Sequence, residues 1–317
     1  MRSKHLRWLG ATPVFAVTAA LAMSSGASAS PVASASAACT KGTNIEAIVD
    51  DSGSMSITDP DKNRTELLNA FNSIASNKGK FLGAVEFGTS ADTLFAPTAM
   101  PIADGTLATA FGLVNADNGS TDYNLAFSTA KTANPNANGR IFLSDGEHNV
   151  GTYTDGHLSP NVRTYTVGFG ATDPTLLTKI ATDTGGLAFN LADSSAVPAV
   201  AASITAGFNC KRPPLVFSKV FTKPGQAQGY SFKPLSSTAD ILVTWPLGIG
   251  TNIGTINPKL ALPPGVATTA KVKATVKKGK SFVTVHLKGL KKGKKAKFKV
   301  KAKSLAGPTP VTTQVIR

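Results

Sequence analysis

Residues 45–55 read Ile45-Glu46-Ala47-Ile48-Val49-Asp50-Asp51-Ser52-Gly53-Ser54-Met55, a mainly apolar run that ends in a cluster of oxygen-bearing side chains. A run of this kind, without regular polar alternation, is typical of a strand that is buried on both faces of a parallel sheet. Four similar runs follow along the chain, at residues 81–87, 141–143, 164–169 and 187–191. The stretch is therefore predicted to form one strand of a parallel sheet and the polar turn that follows it.

Helical patterns lie between these runs. Thr58-Asp59-Pro60 offers a cap and a first-turn proline, and apolar residues then recur on one helical face. Further helices are predicted over residues 122–133, 174–184 and 196–208. Strands that alternate with helices predict a doubly wound α/β domain with a mostly parallel sheet, whose ligands bind at the carboxyl ends of the strands.

Three polar segments occur where such ends are predicted. Asp50-x-Ser52-x-Ser54 follows the first strand, Asn118-Gly119-Ser120-Thr121-Asp122 leads into a helix, and Leu143-Ser144-Asp145-Gly146-Glu147 follows a later strand. Together they resemble the von Willebrand factor type A family, over about residues 42–208. The positions that match the family's metal-ion-dependent adhesion site are Asp50, Ser52, Ser54, Thr121 and Asp145.

This resemblance implies a metal site for Mg²⁺ or Mn²⁺, with Ca²⁺ as an alternative, because hydroxyl and carboxylate oxygens suit hard cations. It implies that Ser52 and Ser54 bind the ion directly, that Thr121 joins them in the high-affinity state, and that Asp50 and Asp145 bind directly or through water. In the family, an aspartate or glutamate of a partner protein completes the shell. The alternative is that these residues only cap helices and shape turns.

The first 37 residues have the pattern of a secretory signal peptide. Arg2, Lys4 and Arg7 precede an apolar run that is followed by Ala-x-Ala triplets. The run is shorter than the roughly 20 residues that a transmembrane helix needs, so we expect a secreted protein, with association to the cell surface as an alternative. In an oxidising compartment Cys39 and Cys210 are expected to form a disulfide that closes a domain over residues 39–210.

Residues 211–317 have a different pattern. They contain 21 basic residues and a single acidic residue, Asp240, within a chain of net charge +15. Short alternating runs separated by proline and glycine predict a β-sandwich of about seven strands, at residues 215–221, 230–233, 241–245, 271–276, 282–287, 296–302 and 311–316. The turn and strand at residues 289–300 resemble immunoglobulin-like repeats of bacterial surface proteins.

A row of lysines is predicted on one face of a strand in this second region. It consists of Lys295, Lys297, Lys299, Lys301 and Lys303. One interpretation is a solvated face that blocks edge aggregation, and another is a surface for an anionic cell-wall or matrix polymer. A third is electrostatic docking onto the acidic 39–210 region. Few aromatic residues interleave with the lysines, so nucleic acid is not an expected partner.

The sequence offers little support for catalysis. The sequence contains neither His-Glu-x-x-His, Gly-x-Ser-x-Gly nor Cys-x-x-Cys, and a triad of Ser144, His148 and Asp145 would rest on closeness in sequence alone. We therefore predict that the chain is not an enzyme. The prediction is a secreted adhesion protein that binds an acidic residue of a partner through its metal site; the alternative is an envelope-associated structural protein that binds anionic polymers through its lysines.

Overall fold

The computed structural model of the protein describes residues 39–170, 174–247, 273–302, 305 and 307–317, together with the backbone of 256–259. The predicted signal peptide and Lys303 lie outside the described residues. Cys39–Arg317 form one compact unit. None of the helices in the described part of the chain is both long and apolar enough to cross a membrane.

A six-stranded sheet forms the centre of the first module, which comprises residues 39–210. Its strands are β1 (Asn44–Asp50), β2 (Phe81–Phe87), β3 (Ala91–Ala99), β4 (Gly139–Ser144), β5 (Arg163–Phe169) and β6 (Ala188–Leu191). They lie in the order β3-β2-β1-β4-β5-β6, and all neighbours are parallel except β2 and β3. Because the order reverses between β1 and β4, the sheet has its switch point there.

Helices cover both faces of this sheet. They are α1 (Met55–Thr58), α2 (Asn63–Ser73), α3 (Asp104–Gly112), α4 (Tyr123–Ala133), α5 (Pro174–Asp183) and α6 (Val197–Phe208). Alternate residues of β1 point to opposite faces: Ile45 and Val49 pack in the core with Phe71 of α2, whereas Ile48 packs with Phe127 of α4. Burial on both faces explains why residues 47–49 are all apolar.

Two local features differ from the sequence-based expectation. Helix α2 begins at Asn63 rather than at Pro60, because the Asp59 carboxylate accepts hydrogen bonds from the backbone amides of Asn63 (2.8 Å) and Arg64 (3.0 Å). The edge strand β3 and helix α3 were not predicted. Most positions of β3 are partly or fully exposed, so it lacks the buried apolar run that marks the central strands.

The second module, residues 211–317, is all β in the described residues. Its strands are β7 (Leu215–Phe221), β8 (Ala227–Phe232), β9 (Thr238–Thr244), β10 (Ile256–Lys259), β11 (Lys273–Lys278), β12 (Phe282–Lys288), β13 (Ala296–Ala302) and β14 (Thr309–Ile316). They form a sheet of order β11-β12-β9-β14-β7 and a smaller sheet of order β10-β13-β8. Phe298 and Val300 of the small sheet share a core with Val243 and Val285 of the large one. The predicted fold class, a doubly wound α/β domain followed by an all-β sandwich, is confirmed.

The outer face of the larger sheet packs on the first module. Leu242, Phe282 and Ile316 belong to the same core as α2 and α6. Across this boundary the hydroxyl of Thr284 donates to the carbonyl of Ser73 (3.2 Å). Helices α2 and α6 therefore lie between two sheets.

The predicted disulfide between Cys39 and Cys210 is confirmed. The Cα atoms of the two cysteines are 5.8 Å apart. Cys210 follows α6 closely, and the amide of Gly42 donates to the carbonyl of Phe208, the last residue of that helix (3.0 Å). The bridge thus joins the chain segment that enters β1 to the end of α6.

One carboxyl group is buried within β1. Glu46 is fully buried; its Oε2 accepts a hydrogen bond from Asn134 (3.0 Å), and its Oε1 has no partner among the described residues. Burial raises the pKa of Glu46 to about 8, against the opposing effects of Asn134 and of the nearby Arg140. The side chain is therefore protonated in the folded protein at neutral pH.

This predicts that Glu46→Gln makes stability less dependent on pH. Between about pH 4.5 and pH 8 the unfolded chain releases this proton and the fold retains it, so the free energy of unfolding falls as pH rises, by up to about 1.4 kcal/mol per pH unit. Urea unfolding at pH 5, 6, 7 and 8 should show this loss in the wild type and a smaller loss in the variant. The exposed Glu147→Gln serves as the control. Identical pH slopes for Glu46→Gln and the wild type would contradict the prediction.

Candidate metal centre

The five predicted site residues lie at the switch point of the central sheet. Asp50 ends β1, and Ser52 and Ser54 form the turn before α1. Asp145 directly follows β4, the parallel neighbour of β1. Thr121 precedes Asp122, whose carboxylate accepts from the amide of Leu125 and caps α4.

Contacts link these residues. The Oγ atoms of Ser52 and Ser54 are 3.2 Å apart, and Ser54 Oγ donates to Asp145 Oδ1 (2.9 Å). The Asp50 carboxylate accepts a hydrogen bond from the amide of Ser52 (2.8 Å). A β-carbon at position 146 would lie 3.3 Å from Thr121 Oγ1 and 3.8 Å from Ser54 Oγ, so these two hydroxyls border the same small space beside Gly146.

The donor set fits a hard divalent cation. In an octahedral shell with metal–oxygen distances of about 2.1 Å, neighbouring oxygens are about 3.0 Å apart. The Ser52–Ser54 and Ser54–Asp145 oxygen separations of 3.2 Å and 2.9 Å have this spacing. In the described part of the chain no three or more His, Cys, Asp or Glu side chains are grouped so that they could hold a metal. The candidate centre therefore depends on its hydroxyl groups.

Asp50 is held by residues that the sequence did not single out for this purpose. Ser144, the last residue of β4, donates its hydroxyl proton to Asp50 Oδ2 (2.5 Å). The hydroxyl of Tyr123 lies 3.0 Å from Ser144 Oγ and 2.7 Å from the carbonyl oxygen of Gly146. Burial raises the pKa of Asp50 to about 6, and the hydrogen bonds from Ser144 and Ser52 oppose this rise.

Two further polar residues orient the remaining site groups. The hydroxyl of Thr58, at the end of α1, donates to Asp145 Oδ2. Asn149 forms two hydrogen bonds with the backbone of Thr121: its side-chain Oδ1 accepts from the Thr121 amide (2.8 Å), and its backbone amide donates to the Thr121 carbonyl (3.1 Å). Thr58 was predicted to start a helix and Asn149 was not predicted to have a role.

The site opens to solvent on one side. Asp50, Ser52, Thr121 and Asp145 are buried, whereas Ser54 is exposed. Ile57, three residues after Ser54, has 83% of its surface exposed. A ligand can therefore approach the hydroxyl cluster from the side of α1.

Asp51, next to the site, has a structural role. It accepts from the amide of Ala116 (2.6 Å), and its Oδ1 is 3.4 Å from Nη2 of the buried Arg64. Arg64 Nη1 in turn contacts Asp59 Oδ2 at 3.0 Å. Burial raises the pKa of Asp51, whereas the Ala116 amide and the Arg64 charge lower it.

The predicted lysine row lies on the middle strand of the smaller sheet. Lys295, Lys297 and Lys299 are exposed and Lys301 is half-buried, while Phe298 and Val300 between them face the core. Lys297 and Lys299 pair in register with Ser231 and Gly229 of β8. On the other side, Lys299 and Lys301 pair in register with Lys259 and Asn257 of β10, so the row lies on one face of the smaller sheet between these two strands.

Comparison with known proteins identifies the first module. The family model described as von Willebrand factor type A domain matches residues 44–203. Three solved structures are similar to the chain over more than half of its length. A von Willebrand factor type A protein from Catenulispora acidiphila is 16% identical over 84% of this chain, at a TM-score of 0.45; the chain spans 59% of that protein.

The other two structures cover less of the chain. Proximal thread matrix protein 1 from the mussel byssus, with a zinc-occupied MIDAS motif, is 16% identical (59% of this chain, 51% of that one, TM-score 0.45). The conserved hypothetical protein BatB from Bacteroides thetaiotaomicron is 15% identical (53% of this chain, 100% of that one, TM-score 0.43). No curated protein matches the chain.

The buried arginine beside the site predicts a stability effect. Arg64→Met would leave Asp51 and Asp59 buried without their cation, and breaking such a pair costs about 3 kcal/mol or more. Urea unfolding should show this loss in Arg64→Met, whereas the exposed control Lys41→Met should unfold like the wild type. A loss below about 1 kcal/mol for Arg64→Met would mean that the ion pairs contribute no more than exposed ones do.

Proposed function

The chain belongs to the von Willebrand factor type A family, and we propose that it is a secreted, metal-dependent adhesion protein that binds an acidic residue of a partner protein. The observation that carries the proposal is the spacing of the oxygens of Ser52, Ser54 and Asp145, which matches one part of an octahedral shell. All five motif residues are present and lie at the ligand-binding edge of the sheet.

In this proposal Ser52, Ser54 and Asp145 hold the cation directly, and Thr121 and Asp50 complete its surroundings. A bound Mg²⁺ or Mn²⁺ would supply positive charge to which a partner's carboxylate can bind; Ca²⁺ is the alternative ion. The neutral hydroxyls leave much of that charge uncompensated. The exposed position of Ser54 is where the partner's Asp or Glu would enter.

We propose binding rather than catalysis for this site. The groups that might form a Ser-His-Asp triad are engaged elsewhere: Ser144 Oγ donates to Asp50, and His148 Nδ1 accepts from the backbone amide of Tyr123 (3.1 Å). A nucleophilic serine would instead need a hydrogen bond to the histidine. This arrangement supports a role for Ser144 in positioning Asp50.

The alternative function assigns binding to the second module, as an immunoglobulin-like unit of an envelope-associated protein. The exposed Lys295, Lys297 and Lys299, which share one face of β13 or the residue before it, favour it. In that case the ligand is an anionic cell-wall or matrix polymer, and binding weakens steeply as salt rises. Metal-bridged binding would instead be lost on addition of a chelator.

The proposal predicts saturable binding of one Mg²⁺ or Mn²⁺ per chain. Calorimetric titration into chelator-stripped protein should show it in the wild type, and Ser52→Ala and Asp145→Ala should abolish it because each removes a ligand. Ser218→Ala, an exposed serine on β7, is the matched control and should bind as the wild type does. Unchanged binding in Ser52→Ala and Asp145→Ala would place the metal elsewhere and refute the proposal.

A second prediction concerns the residue that orients Asp50. Ser144→Ala removes the hydrogen bond to Asp50 Oδ2 and should weaken metal affinity about tenfold, as loss of outer contacts does in other metal sites. The measurement is the same titration, with thermal unfolding to show that the variant is folded. An affinity equal to that of the wild type would show that Ser144 does not position Asp50 for the ion.

A further inference from the structure

A groove lies between the two modules, away from the candidate metal centre. Its volume is about 250 Å³, and it is bounded by the segment that follows α2 and by strands β11 and β12. The metal centre lies near the start of α2, where Asp51 contacts Arg64, whereas the groove lies at its end, next to Ser73. A helix of 11 residues spans about 16 Å, so the two places are well separated.

The groove is cationic. Lys78 from the first module and Lys277, Lys288 and His286 from the second line it. Among the described residues, none of the lining side chains is acidic. Three exposed ammonium groups thus border one groove whose lining contains no carboxylate, and such a cluster of like charges attracts anions.

Strand register explains why polar groups face the groove. Thr275 pairs with His286, and Lys277 pairs with Thr284, so these residues share one face of the β11–β12 hairpin. Val283 and Val285 alternate with Thr284 and His286 and point into the sandwich core. The face turned toward α2 is therefore a polar surface with lysine, threonine and histidine side chains.

The only acidic residue of the second module supports this surface. Asp240 is 2% exposed; its Oδ1 lies 2.6 Å from His286 Nδ1, and its Oδ2 accepts from the amide of Ser76 (3.1 Å). Both carboxylate oxygens of Asp240 therefore have partners within the fold, and the contact with Nδ1 orients the imidazole of His286 at the groove wall. No described protein group engages His286 Nε2, so this nitrogen remains for a ligand.

One feature of the groove opposes an anion, and the fold partly offsets it. Helix α2 ends here, and the carbonyl groups at a helix C-terminus carry partial negative charge. The carbonyl of Ser73 accepts the hydroxyl proton of Thr284, which screens this charge. Three lysines thus line the groove, and the one carboxylate behind its wall, Asp240, is engaged by His286 and by the Ser76 amide.

We propose that this groove binds the oxyanion groups, phosphate or carboxylate, of an anionic polymer. Lysines bind such groups as point charges, and the threonine hydroxyls beside them donate hydrogen bonds. The row on β13 offers the same charges on one face of a single sheet, where Lys297 and Lys299 pair with Ser231 and Gly229, and no described residue of the first module is shown to face it. Confinement between two modules makes the groove, rather than that row, the principal anion site.

Binding of fluorescent polyphosphate and polyglutamate to the full chain tests this proposal, with chelator present so that the metal centre plays no part. Lys277→Ala/Lys288→Ala should weaken binding of the preferred polymer about tenfold, equivalent to about 1.4 kcal/mol. The matched control, Lys297→Ala/Lys299→Ala, removes the same charge from β13 and should weaken it less than about threefold. Tighter binding of polyphosphate identifies phosphate as the ligand group, and tighter binding of polyglutamate identifies carboxylate.

Lysine acetylation of the wild-type chain gives an independent readout. With bound polymer, mass spectrometry should show protection of Lys78, Lys277 and Lys288 and continued labelling of Lys297 and Lys299. Equal losses in the two double variants, or protection centred on β13, would show that binding follows net charge or the β13 row and would overturn the proposal. Absence of binding to both polymers at low salt would overturn it as well.

Discussion

Parallel pairing of β1 with β4 is the constraint on which the rest of the structure depends. The register that opposes Val49 to Leu143 places Asp50 and Asp145 at the same edge of the sheet. Helices on both faces bury the two strands, so that, apart from the buried Glu46 and Arg140, their polar residues lie at the strand ends. The hydroxyl of Ser54 then contacts Asp145, and the hydroxyl of Ser52 contacts that of Ser54.

The sequence predicted the parts of the structure that follow from local pattern. Four of the five predicted apolar runs form largely buried strands, β1, β2, β4 and β5, whereas β6 is only partly buried. Each motif segment is a short local signal, and Asp50 and Asp145 lie at strand ends as expected. Ser144 and Asn149 were missed as supporting residues because their partners, Asp50 and Thr121, lie 94 and 28 residues away in sequence. Strand β3 was missed because an exposed edge strand carries no apolar run.

The packing of the second module against helices α2 and α6 also could not be predicted from the sequence pattern. The charge change near residue 210 indicated two surfaces of opposite sign, yet α2 and α6 are buried between the central sheet and the larger sheet of the sandwich. The residues that make this contact, Leu242, Phe282 and Ile316, lie among threonines and charged residues on their sheet face. The sequence of such a mixed face is typical of a solvent-exposed sheet face, so the contact with α2 and α6 became evident only in the structure.

The central claim is that the oxygens at the switch point form one cation site. Anomalous diffraction from crystals of the protein grown with Mn²⁺ tests it most directly, because the scattering of the ion locates it without reference to the protein. The account predicts a single strong peak in contact with the oxygens of Ser52, Ser54 and Asp145. A peak elsewhere, with none at these oxygens under saturating Mn²⁺, would contradict it.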